Sequence, residues 1–101
     1  MKNKELDQLR SKINNIDDEI LSLLSDRSKV VLEIGKQKKD NTIIDLDREQ
    51  KILDRLIKKF KGLYSKDTIV RLWREIFQSS ERIQKFSNVT IQSKRSINNI
   101  N

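Results

Sequence analysis

The chain contains no cysteine and no histidine, and these two absences close most familiar routes to enzymatic chemistry. Without thiols there are no disulfides and no thiolate zinc sites. Without imidazole there is no histidine acid/base chemistry and no Ser/His or Cys/His nucleophile. Any catalysis must come from carboxylates, amines, guanidiniums, amides and hydroxyls. Proline is also absent, and the only glycines are Gly35 and Gly62, so little interrupts helix from residue 5 to the mid-80s. No apolar stretch approaches the roughly 18 residues of a membrane span. The opening Met1-Lys2-Asn3-Lys4-Glu5 leads into amphipathic sequence instead of the apolar core of a signal peptide. A cytoplasmic protein with no membrane partner is expected.

Charge is plentiful: 22 lysines and arginines against 15 aspartates and glutamates give a formal +7. That balance attracts anions generally and does not by itself separate a nucleic acid from a small dicarboxylate, or either from a solvated basic surface. The length of 101 residues fits one domain. A chain this short buries only a modest share of its surface when folded alone, a shortage that oligomerisation relieves.

Apolar residues run Leu6, Leu9, Ile13, Ile16, Ile20 and Leu23, then Val30, Val31 and Ile34, the three-four alternation of a heptad seam. The spacing predicts a first helix reaching about Lys39, roughly 50 Å long, which needs a partner along its length. A polar break at Asp40-Asn41-Thr42 follows. Asp45 or Asp47 can cap a second helix with Ile52, Leu53, Leu56, Ile57 and Phe60 on its apolar face, stopped by lysines 58, 59 and 61 and then Gly62. Ser65 is the expected cap of a third helix carrying Ile69, Val70, Leu72, Trp73, Ile76, Phe77 and Ile83. The reading is therefore all-α, with one long, one short and one medium helix. Residues 1–86 form the domain, and residues 87–101, rich in Asn, Ser and Ile without helical period, are expected to be a flexible tail.

Several polar side chains interrupt these apolar stripes, where burial without a partner costs several kcal/mol. Arg27 falls on the first seam, and Lys38 lies three turns on with only about 20° of rotation between them. Glu49 continues the line of Leu53, Leu56 and Phe60; Ser80 and Gln84 continue that of Trp73 and Phe77. Each has a plain structural explanation: Arg27 and Lys38 pairing with Glu49 in a core salt bridge, Ser80 or Gln84 bonding to backbone. A wholly internal network would be expensive in so small a domain, and a polar pocket for an anionic ligand explains the set more economically. Arg10 lies about 42 Å of helix from Lys38 and cannot serve the same pocket from the same chain. In an antiparallel pairing of two long helices, Arg10 of one chain comes near Lys38 of the other, giving two equivalent sites per dimer. An exposed arginine pairing with Asp7 or Asn14 is the alternative.

The segment LDQLRSKINNIDDEILSLLSDRSKVVLEIGKQK, followed by DLDRE and by a third helix ending SSERIQ, resembles the all-helical chorismate mutases over roughly residues 5 to 86. The shared elements are L-R-x-x-I-x-x-I-D from Leu9 to Asp17, D-R at Asp26-Arg27, G-K-x-K from Gly35 to Lys38, D-x-D-R-E from Asp45 to Glu49, and S-x-x-x-Q from Ser80 to Gln84. The connection from Lys38 to Asp45 is short and lacks the proline common in that family. The resemblance implies an intertwined helical homodimer, with no cofactor and no nucleic-acid partner, that rearranges chorismate to prephenate in phenylalanine and tyrosine biosynthesis. It further implies that Arg27 and the partner subunit's Arg10 bind the substrate carboxylates, while Lys38 and Gln84 donate to its ether oxygen. Glu49, with the backbone around Asp45, would hold the ring hydroxyl, and Arg48 and Ser80 would complete the polar lining. No metal is implied.

Such a reaction suits a chain without histidine, because the rearrangement is concerted and transfers no proton. It needs the flexible substrate held in a compact conformer and negative charge stabilised on the breaking ether oxygen. Two other readings remain open. One is an isochorismate-pyruvate lyase on the same fold, which tends to lack the acidic residue supplied here by Glu49. The other is a basic helical binding module, which leaves Glu49, Ser80 and Gln84 unexplained. A single activity, with no further domain after residue 86, is expected.

Overall fold

The structure is a computed structural model that describes residues 3–38 and 45–100, with side chains as far as residue 86. Its three helices are α1 (Lys4–Gln37), α2 (Leu46–Lys59) and α3 (Lys66–Ile100), and there is no strand among the described residues. Each helix begins where a short polar side chain can take an otherwise unsatisfied backbone N–H. Asn3 Oδ1 accepts from Leu6 N at 3.1 Å, Asp45 Oδ1 from Arg48 N at 3.0 Å, and Ser65 Oγ from Thr68 N at 3.2 Å. Of the two caps expected for α2, Asp45 is the one used. The helix ends at Lys59, where the Phe60 N–H donates to the Leu56 carbonyl at 2.8 Å. The expected break at Asp40-Asn41-Thr42 lies outside the described residues.

Two compact units divide the chain between Val30 and Val31. The first is the greater part of α1, and its apolar seam is open: Leu9 and Ile13 are 57% exposed, Ile16 50% and Ile20 49%. The second holds the end of α1 with α2 and α3, and α2 packs on α3. Its core is Val31, Leu53, Ile69 and Phe77, all buried, with Ile52, Leu56, Ile57, Val70, Trp73, Ile76 and Ile83 half-buried around them. Leu72, expected on the apolar face of the third helix, is instead exposed, because the inward stripe runs through Ile69, Val70, Trp73, Ile76 and Phe77.

The backbone of α3 continues as helix to Ile100. At 35 residues, against 34 for α1, it is a second long helix and not the medium one expected. The physical reason is that no proline or glycine occurs after Gly62, so nothing in the backbone stops the helix. Among the described residues, no helix is long and apolar enough to cross a membrane.

Candidate functional site

The second unit draws together side chains from all three helices. Gly35 of α1 lies against Gln84 of α3. A Cβ on Gly35 would stand 3.3 Å from Gln84 Cα and 3.3 Å from its Cγ, so the hydrogen of glycine is what lets the two backbones approach this closely. One turn further, where α1 has just ended, Lys38 Nζ donates to Gln84 Oε1 at 3.4 Å. Gln84 is the buried polar side chain of this unit, 9% exposed. An ammonium has only donors, so it must meet the amide oxygen, and this makes Nε2 the donor end of Gln84. The result is a cation and an amide donor held together at the edge of an apolar floor.

α2 contributes its first turn. The Asp45 cap fixes the backbone at Arg48, and Glu49 is half-buried next to it while Asp45 and Arg48 are exposed. The Glu49 carboxyl is pushed above its ordinary value of 4.5, first by burial, then by the charge of Glu81, by a side-chain hydrogen bond with Glu81, and by the charge of Asp45. A cation paired with Glu49 would push in the opposite direction, so the core salt bridge weighed from the sequence is not what governs this carboxyl.

α3 contributes Ser80, Glu81 and Gln84. Ser80 Oγ donates to the Ile76 carbonyl at 2.6 Å, which realises the backbone bond weighed for it and anchors the hydroxyl against its own helix. Glu81 escaped the sequence analysis. It follows Ser80 directly, but what distinguishes it is the effect of its charge on Glu49, 32 positions earlier, and no periodicity along one helix signals an influence between two. Gly35 was visible only as part of the G-K-x-K element. Arg10 and Arg27 belong to the first unit, where Arg10 is exposed and Arg27 half-buried.

Among the described residues, no group of three or more acidic side chains could hold a metal ion. The chemistry on offer is that of a lysine ammonium in contact with a buried amide, together with the half-buried carboxyl of Glu49 in the first turn of α2.

Comparison with known proteins bears on the family and the fold. Residues 9–85 match the family model described as chorismate mutase type II. The bifunctional chorismate mutase/prephenate dehydratase of Aquifex aeolicus is 34% identical over 88 residues, covering 81% of this chain and 24% of that protein. Its Escherichia coli (strain K12) counterpart is 35% identical over 80 residues, covering 76% of this chain and 21% of that protein. The chain thus spans about a quarter of the length of these relatives. Two solved structures share the fold. Chorismate mutase from Helicobacter pylori, in complex with prephenate, gives a TM-score of 0.78 at 28% identity, covering 84% of this chain and 94% of that one. Chorismate mutase from Thermus thermophilus gives 0.74 at 31% identity, covering 80% and 94%. The helical fold and the long stretch of matched sequence lead to one assignment, and the chain belongs to the chorismate mutase type II family.

Proposed function

We propose that this chain catalyses the Claisen rearrangement of chorismate to prephenate, in the cytoplasm and on the route to phenylalanine and tyrosine. The observation that carries the reading is the Lys38–Gln84 contact, 3.4 Å between Nζ and Oε1, with the amide buried. In the rearrangement a carbon–oxygen bond breaks as a carbon–carbon bond forms, and negative charge grows on the ether oxygen. Lys38 and the Nε2 end of Gln84 are the donors for that oxygen. The bond between them holds the amide in the orientation that presents Nε2, so little reorganisation is needed as charge develops.

Arg27 and the partner subunit's Arg10 take the two carboxylates, for which the guanidinium fork is suited. Glu49 and the backbone at Asp45 hold the ring hydroxyl, and Arg48 and Ser80 complete the polar lining. The functional unit is an intertwined homodimer. Support comes from the open seam of α1, since a continuous row of half-exposed Leu and Ile is rarely left to water in a stable monomer. An antiparallel partner helix covers it and brings a second Arg10 toward the Lys38 end.

The test is to mix the purified protein with chorismate, follow the loss of its absorbance and identify the product. Enzyme-dependent prephenate is the expected result. Release of pyruvate from isochorismate without turnover of chorismate would transfer the assignment to a lyase.

A further inference from the structure

Gly35 lies inside α1, is buried and has no positive φ. The backbone there suits L side chains generally, and a helix interior favours alanine over glycine. Glycine therefore stands at this position at a cost to the helix, and what it supplies is space. A Cβ would meet three atoms of one residue, Gln84: Cα at 3.3 Å, Cγ at 3.3 Å and Cβ at 3.5 Å. Because Cα belongs to the backbone of α3, a change of rotamer alone does not relieve the crowding, and Gln84 must give by a few tenths of an ångström. The same residue is the partner of Lys38. The Lys38 N–H donates to the Ile34 carbonyl at 3.0 Å, which ties Lys38 to the turn that contains Gly35. Its ammonium reaches Gln84 Oε1 at 3.4 Å, already long for a hydrogen bond. A retreat of Gln84 by a few tenths of an ångström takes that contact out of hydrogen-bond range.

We infer that Gly35 is a positioning residue for the rearrangement: by lacking a Cβ it lets Gln84 stand where Lys38 holds the amide oxygen, and so keeps Nε2 presented to the ether oxygen of the substrate. The inference rests on the mutase reading of the site. Gly35 touches no substrate in this account and acts only through Gln84. The Gln84 donor meets charge that grows in the transition state, so its displacement lowers kcat and leaves KM nearly unchanged. Misplacement by about 1 Å can cost about 10²-fold, and a shift of a few tenths of an ångström is expected to lower kcat by roughly three- to tenfold.

The experiment compares the wild type with Gly35→Ala, Gln84→Ala and the double variant. Alanine adds a single methyl group and is the better helix former, so Gly35→Ala is expected to fold, which urea unfolding checks. Chorismate kinetics give kcat and KM, and nitrogen-15 NMR of the Gln84 side-chain amide, identified by its loss in Gln84→Ala, reports that group without any substrate. In Gly35→Ala the amide signal shifts and kcat falls while KM holds. In the Gln84→Ala background the same substitution at position 35 lowers kcat no further, because the group it acts through is gone. A purely structural role would lower the urea midpoint and leave the kcat of the folded protein and the amide signal where they were. That result, or an equal loss of kcat in both backgrounds, overturns the inference. If the wild type does not turn over chorismate, the mutase reading fails, and the Gln84 amide signal alone decides whether Gly35 positions it.

Discussion

Ile13 and Ile16 in the first unit are 57% and 50% exposed, whereas Leu53 and Phe77 in the second are 7% and 6% exposed. All four are apolar residues on regular helical stripes, so intrinsic preference does not separate them. The second unit has several helix faces to lay against one another, and α2 and α3 enclose their own core. The first unit is a length of single helix, and one helix cannot bury its own seam. The contrast teaches that the second unit has a core of its own while the apolar seam of the first stands open, and Lys38, Glu49, Ser80 and Gln84 lie in the unit with the core.

The most damaging way to break that contrast is to charge the seam. Ile13→Asp with Ile16→Lys is expected to convert the protein from dimer to monomer in sedimentation and to abolish turnover, because each site also loses the partner subunit's Arg10. A dimer that persists with full activity would remove the seam from the interface. Next in size is Lys38→Ala in the second unit. Loss of one preorganised donor costs about 2.7–4 kcal/mol, or roughly 10²- to 10³-fold in turnover, with helix content and dimer retained. Normal turnover in that variant would end the role assigned to Lys38. The smallest effect is expected for Asp45→Ala, which removes the acceptor for Arg48 N. An N-cap deletion of this kind costs about 1 kcal/mol, measurable by urea unfolding, and KM should rise modestly because Glu49 sits in the turn the cap secures.

Local features were the most legible in the sequence. Asp45 and Ser65 cap the helices expected of them, the stripe read from Ile52 to Phe60 is buried or half-buried, and the polar interruptions at Lys38, Glu49, Ser80 and Gln84 all lie in the second unit. Each of these depends on spacing along one helix or on a cap within three residues. What was not legible depends on packing between helices. Lys38 meets Gln84 across 46 positions, the charge of Glu81 helps raise Glu49 from another helix, and Leu72 faces outward because α3 presents a slightly different stripe to α2. The length of α3 was misread for another reason: weak periodicity after residue 86 says little when no residue is present to break the helix.

By itself the sequence determined that the protein is helical, that its chemistry excludes histidine and cysteine, and that cations and amides stand in stripes meant for apolar residues. These follow from composition and from the 3.6-residue period, both of which are written along the chain. Only the tertiary structure decided that Lys38 meets Gln84 and that Gly35 lies against Gln84 with little room for a Cβ, because contacts between helices are set by how side chains of different segments fill a common space.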